Sequence, residues 1–234
     1  MSPGSSTEDA HAGAQHFCNL IRPLLDSEKH PRILVAGCGP GHEALHLRND
    51  LGVDVTGVDI TQQWEANYGA DIDDFTLLRD SILDLPFPDN SFDHVFYHHV
   101  IEHVSDPEKS LDELRRVLKP DGLIYVGTPN RHRIVGYLGS QGVSTRQKLQ
   151  WNWVDYKARF RRRFRNEYGA HAGFSEKELS QLLNRRFSDV RFLTSDYIQF
   201  KYGRRLPGPV VDTICAKPFL EVAAAAIYAV ARKP

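Results

Sequence analysis

Dense runs of apolar residues alternate along this chain with stretches in which apolar positions recur every three or four residues. The runs read as strands buried on both faces, and the spaced stretches as helices with one apolar stripe. Runs occur at residues 33–36, 75–78, 94–97, 123–126 and 226–232, and the more mixed stretches 53–58 and 189–198 are read as strands as well. Helical spacing occurs at residues 11–27 (Phe17, Leu20, Ile21, Leu24 and Leu25, despite Pro23), at 42–48, and after Asp106-Pro107 (Leu111, Leu114, Val117 and Leu118). The third of these helices is expected to close at Lys119-Pro120-Asp121-Gly122, and a fourth to begin at Ser175, where Ser175 and Glu178 match a capping box. The alanines at 223–226 could extend a helix from Phe219 instead, so the start of the last strand stays open. The alternation predicts an α/β fold: a Rossmann-like, seven-stranded, mostly parallel sheet with helices on both faces and ligands above its carboxyl edge.

Two stretches stand outside this pattern. Residues 1–10 are small and polar, with no apolar run, and read as a disordered tail rather than a leader or a membrane span. Residues 131–172 hold no clean strand and many aromatic and basic residues, too long for a simple connection, so a lid or substrate insertion is expected there. The remainder, residues 11–234, is long enough for one domain with a proper core. Lys and Arg number 29 against 30 acidic residues, so any attraction to a polyanion must be local. Three widely spaced cysteines, Cys18, Cys38 and Cys215, suggest neither a disulfide framework nor a zinc site and fit a reducing cytosol.

The chemistry gathers around Gly37-Cys38-Gly39-Pro40-Gly41, which follows the first strand and precedes a helix. Such a turn points N–H groups and a positive helix end at a ligand above the strand. A dinucleotide fingerprint would need glycine at position 42, where this chain has His42, which argues against a pyrophosphate. Asp59, about 20 residues on and at the end of the second strand, lies where a ribose would present its hydroxyls. A nucleoside without a diphosphate fits both facts.

These residues resemble the first motif of the class I S-adenosylmethionine-dependent methyltransferases, with Val35 standing where that family usually places an acidic residue. The resemblance extends through Pro86-Phe87-Pro88-Asp89-Asn90-Ser91-Phe92-Asp93, and the Glu102-His103-Val104 and Thr128-Pro129-Asn130 motifs are most similar to those of ubiquinone-type O-methyltransferases. It implies a cofactor, S-adenosyl-L-methionine, held by Gly37, Gly39, Gly41, Asp59, Ile60, Asp80, Ser81, Ile82 and His98, and transfer of a methyl group to an oxygen of a small or lipid-like acceptor. Asp80 could instead simply cap a turn. Three other readings remain: a 2′-O-methyltransferase acting on RNA ends, a cofactor-binding module without turnover, and a nicotinamide-dependent oxidoreductase.

Methyl transfer is an in-line displacement at a sulfonium, so the protein mainly has to align the nucleophile and take its proton. His98-His99-Val100-Ile101-Glu102-His103 follows the fourth strand, where the methyl group is expected. If the segment forms one helical turn, His99, Glu102 and His103 share a face and are the candidate catalytic residues. The resemblance also implies a divalent-metal site made of His99, Glu102, His103 and the later His171, taking Mg²⁺, Mn²⁺, Fe²⁺ or Zn²⁺. With His99 in place of a usual glutamate, the alternative is a metal-free histidine base. Finally, residues 157–165 carry Lys157, Arg159, Arg161, Arg162, Arg163 and Arg165 interleaved with Phe160 and Phe164, which would stack at i and i+4 on a helix. An anionic substrate or a peripheral contact with a membrane surface is expected there, and nucleic acid is disfavoured by the near-zero net charge.

Overall fold

A computed structural model describes residues 11–25, 31–64, 68–69, 71–137, 143–166 and 172–234. Seven strands form one sheet in the order β3-β2-β1-β4-β5-β7-β6. They are β1 (Arg32–Ala36), β2 (Asp54–Asp59), β3 (Phe75–Arg79), β4 (Phe92–His98), β5 (Leu118–Pro129), β6 (Ser188–Phe192) and β7 (Ala226–Arg232). β1 to β5 pair in parallel, and β7 runs antiparallel between β5 and β6.

The helices are α1 (Ala12–Ile21), α2 (His42–Leu51), α3 (Pro107–Val117), α4 (Thr145–Phe160), α5 (Glu176–Asn184), α6 (Thr194–Tyr202), α7 (Gly208–Cys215) and α8 (Phe219–Ala223). Alternate residues of each central strand feed opposite faces of the sheet. Leu34, Val95, Tyr97 and Ile124 pack with Leu111 and Leu114 of α3 and Leu179 and Leu183 of α5. Ile33, Val35, Phe96 and Tyr125 pack on the other face with Phe17 and Ile21 of α1, Leu47 of α2 and Tyr197 of α6. Val35, at 2% exposure, is part of this core, where an acidic side chain would have to be desolvated.

Local chemistry sets the ends. Asp106 caps α3 by accepting from the Lys109 N–H, and Pro107 fills the first turn. Ser175 and Glu178 form the expected capping box on α5. Several expectations are corrected. The run at 189–198 is not one strand: β6 stops at Phe192, and α6 begins at Thr194, burying Thr194, Tyr197 and Ile198 at helical spacing. α1 ends at Ile21, and Arg22–Leu24 continue as a short 3₁₀ turn through Pro23. Lys119-Pro120-Asp121 do not close α3 as a loop, because Leu118 is already extended and pairs with Phe92. Phe160 and Phe164 do not stack on one helix. α4 ends at Phe160, Arg162 turns back at a φ of 58°, and Phe164 folds inward while Phe160 points out.

Candidate functional site

β1 delivers the chain to its glycine turn between β2 and β4, at the carboxyl edge of the sheet. The turn is fastened to the end of β2: the Gly37 and Cys38 N–H groups donate to the Val58 carbonyl at 2.7 and 3.0 Å. Gly37, Gly39 and Gly41 all have positive φ, but only two are crowded. A Cβ on Gly37 would lie 2.4 Å from Val100, and one on Gly41 2.7 Å from Leu77, whereas a Cβ on Gly39 would meet nothing within 4 Å. Packing therefore demands the outer glycines, and the middle one leaves an open cradle beside the backbone.

Asp59 completes the cradle. Its Oδ2 accepts from the Gly39 N–H at 2.8 Å, and its Oδ1 from the Thr61 N–H and hydroxyl at 2.9 and 3.0 Å. Ile60 beside it is 67% exposed and offers an apolar face. At the end of β3, the Asp80 N–H donates to the Asp59 carbonyl, while Asp80 Oδ1 accepts from the Ser81 N–H at 2.7 Å. The Ser81 hydroxyl oxygen accepts from the Leu83 N–H, and Ile82 is buried in the core. Asp80 thus shapes its own turn next to the cradle, and of Asp80, Ser81 and Ile82 the last is committed to packing.

The end of β4 is not helical. His99 has a φ of 55°, its N–H donates to the Gly127 carbonyl, and residues 101–103 form a turn closed by the His103 N–H on Val100. The expected shared helical face is corrected accordingly. The histidines are nevertheless drawn around two carboxylates. His98 Nδ1 lies 3.0 Å from Glu43 Oε1, reaching across from the first turn of α2. Its Nε2 is buried without a hydrogen-bond partner among the described residues, and its ring fills the space that the missing side chains of Gly13 in α1 and Gly127 in β5 leave.

Glu102, whose side chain is 1% exposed, is the second carboxylate. Thr128 donates its hydroxyl to Oε2 at 2.9 Å, while Oε1 lies 3.5 Å from His99 Nδ1 and 3.8 Å from His103 Nε2. Burial pushes the Glu102 carboxyl up, but His99 and the Thr128 hydroxyl outweigh it and hold it below the usual range. For His99, the enclosing walls lower the ring's pKa, His98 adds to the effect and Glu102 opposes it. The surface His99 still exposes lines a cavity of about 790 Å³. The lowered pKa favours the uncharged ring at neutral pH, and its Nδ1 is turned toward Glu102. The Thr-Pro-Asn motif is explained as scaffolding: Thr128 fixes Glu102, and the Asn130 amide donates to the Glu221 and Ala224 carbonyls at the end of α8.

The cavity is walled by Gly13, Glu43, His98, His99, Glu102 and His103 on one side, and by Tyr137, Trp151, Tyr197, Tyr202 and Tyr228 on others. Sequence reasoning missed Glu43, which reads as an ordinary helix residue, and the wall given by α6, which had been assigned to a strand. Tyr228 stacks on Tyr197 at 3.9 Å and on His98 at 6.0 Å, backing the histidine with aromatic rings. Of the four expected metal ligands, His171 lies outside the described residues. Of the other three, His99 and His103 flank Glu102 Oε1, but among the described residues no group of three His, Cys, Asp or Glu side chains is arranged to hold a metal ion.

Residues 34–126 match a methyltransferase-domain family. A probable S-adenosylmethionine-dependent methyltransferase of Mycolicibacterium smegmatis is 37% identical over 99 residues, covering 42% of this chain and 38% of that protein. The O-methyltransferase resE of Aspergillus sclerotiorum is 29% identical over 122 residues, covering 50% and 46%. Haemonchus contortus phosphoethanolamine N-methyltransferase 2, solved with phosphomonomethylethanolamine and S-adenosylhomocysteine, superposes with a TM-score of 0.60 at 17% identity, covering 100% of this chain and 54% of that one. Residues 34–126 thus carry a methyltransferase domain, and the seven-stranded sheet has the Rossmann-like fold of class I S-adenosylmethionine-dependent methyltransferases. The chain spans less than half the length of those two curated relatives. The open cradle at Gly39 and the carboxylate of Asp59 fit that cofactor, which supplies an electrophilic methyl group when bound. Among the described residues no helix is long and apolar enough to cross a membrane.

Proposed function

We propose that this protein transfers a methyl group from S-adenosylmethionine to a hydroxyl oxygen of a small, apolar acceptor held in the 790 Å³ cavity. The observation that carries this reading is the His99–Glu102–Thr128 chain at the end of β4, with the His99 imidazole facing the cavity. In this reading Gly37, Gly39, Gly41, Asp59 and Ile60 hold the nucleoside, Asp80 and Ser81 border the adenine, and His98, fixed by Glu43, packs against the methionine end. His99 accepts the acceptor's proton at its free nitrogen as the oxygen attacks. Glu102 stabilises the imidazolium that forms. The aromatic wall excludes water and selects a flat or lipid-like acceptor, and residues 131–172 serve as the lid over it.

Calorimetry of the full chain with S-adenosylmethionine and with NADH tests the first half: heat is expected with the former alone. Labelled cofactor and a panel of apolar phenols, hydroxyquinones and long-chain alcohols test the second, with label expected on oxygen. Turnover is expected to persist in EDTA after exhaustive dialysis, since the reading is metal-free. Loss of activity in EDTA with rescue by Mn²⁺ or Zn²⁺ would instead establish the site that includes His171.

Asp59 gives a prediction of intermediate size. Three bonds already reach its two oxygens, so one ribose hydroxyl would meet Oδ2 and a second would compete with the Thr61 hydroxyl. A hydrogen bond to a charged group is worth about 1.5–3 kcal/mol, so Asp59→Ala should weaken cofactor binding roughly ten- to hundredfold. An unchanged dissociation constant in a folded Asp59→Ala protein would remove the ribose assignment.

A further inference from the structure

The sequence from Thr145 to Arg165 holds eight Lys and Arg residues and one acidic residue, Asp155, in a chain whose net charge is −1. Asp155 is turned inward, where it pairs with Arg133 at 3.0 Å, so it offsets none of the outward charge. On α4, Leu149, Trp153, Tyr156 and Phe160 recur at intervals of four, three and four residues and therefore share one face. That face is exposed among the described residues: Leu149 is 65% exposed, Trp153 60% and Phe160 93%. The Tyr156 hydroxyl donates to the Ile134 carbonyl at 2.5 Å, which brings exposed Ile134 and Val135 alongside the stripe. After the helix, Arg161, Arg162 and Arg163 are exposed on the turn, and Phe164 is folded away beneath Arg159 at 4.0 Å. The segment is thus anchored by its inner face and presents an apolar stripe bordered by a single sign of charge.

We propose that α4 and the arginine turn behind it form a docking surface for an anionic lipid bilayer. A helix lying in the interface buries its apolar face among the acyl chains while flanking cations meet anionic headgroups. A second copy of this chain is the poorer occupant, because it would bring two sets of unbalanced cations together. Nucleic acid would satisfy the arginines and could stack on Trp153 and Phe160, but it would leave the aliphatic Leu149, Ile134 and Val135 in water, whereas acyl chains would cover them. The same segment also turns Trp151, in edge contact with Tyr137 at 5.1 Å, into the cavity wall. Docking therefore sets the wall of the acceptor cavity against the membrane, while the surface itself stands independently of the reaction proposed above.

The test is co-sedimentation of the full chain with vesicles of phosphatidylcholine alone and with about one third phosphatidylglycerol, at about 0.1 M salt. Partitioning to the anionic vesicles is expected to be at least about tenfold stronger, and to weaken by about the same factor at high salt. Two surface variants, Trp153→Asp with Phe160→Asp, and Arg161→Glu with Arg162→Glu and Arg163→Glu, should each abolish that gain while melting at the parent temperature. Equal partitioning to neutral and anionic vesicles, or undiminished binding by both variants, overturns the proposal. Absence of vesicle binding with a dimer that Phe160→Asp dissolves overturns it in favour of self-association. Absence of vesicle binding with tight retention of a fluorescent single-stranded RNA overturns it in favour of nucleic acid.

Discussion

His99→Ala is expected to lower kcat by roughly 10²- to 10⁴-fold with little change in cofactor affinity, because it removes the proton acceptor and leaves the glycine cradle untouched. Glu102→Gln should fall in the same range. It preserves shape and the Thr128 contact but loses the charge that orients His99 Nδ1 and stabilises the imidazolium. The two effects should not add, since a residue acting through another has nothing to orient once its partner is gone. The pH profile supplies the sign. Enclosure lowers the His99 pKa from 6.5, so the base is already unprotonated at neutral pH. The rate should be flat from neutral pH upward and fall only as pH drops below that value. The measurements are single-turnover rates for each variant and the double variant, with cofactor affinity by calorimetry. A double variant as impaired as the product of the singles would show that the residues act separately, and a His99→Ala enzyme with wild-type kcat would end its role as base.

The parts of this site that were legible in the sequence are those where residue type and spacing leave one physical solution. Residues 33–36 are apolar with no polar interruption, as a strand covered on both faces requires, and 226–232 read as the last strand with only its start left open between helix and strand, which the structure places at Ala226. Capping at Asp106 and Ser175 was equally readable, since side-chain oxygens three residues ahead of an N–H have few other uses. Failures came where tertiary contacts choose. Nothing in the string His98-His99-Val100 announces that His99 takes a left-handed conformation, since that geometry is imposed by the bond of its N–H to Gly127. Leu193-Thr194-Ser195-Asp196 reads as the continuation of a strand, but Leu193 instead meets Tyr228 and the chain coils into α6. Glu43 escaped notice because a glutamate in the first turn of a helix already has an electrostatic reason to be there. Its bond to His98 joins residues 55 positions apart, which no local pattern reveals.

The largest effect on stability should come from acid. His16 and His94 are each 8% exposed, and burial lowers both to about 4, against an ordinary value of 6.5. His16 keeps one bond, to the Tyr125 hydroxyl at 3.0 Å, and Asp196 partly opposes the shift. His94 Nδ1 has no hydrogen-bond partner among the described residues, Asp93 opposes the shift, and Arg232 and Lys119 deepen it. Each folded-state pKa lies below its unfolded value, so between pH 6.5 and about 4 the unfolded chain binds more protons. Stability is fully present above pH 6.5 and is lost as pH falls toward 4. A shift of this size corresponds to about 3 kcal/mol per histidine, which together is a large fraction of the 5–15 kcal/mol typical of a folded domain. Glu43, Glu102 and Glu113, whose folded-state pKa values are depressed below 4.5, contribute with the same sign at lower pH. The histidine window therefore opens first on acidification. Urea unfolding between pH 7 and 5 should show the midpoint dropping steeply in the parent protein, and less steeply in His94→Gln, which cannot take up the proton. The same stability at pH 5 as at pH 7 would mean that the two rings are not held neutral by the core, and a His94→Gln protein that loses stability as steeply as the parent would exclude His94 from the loss.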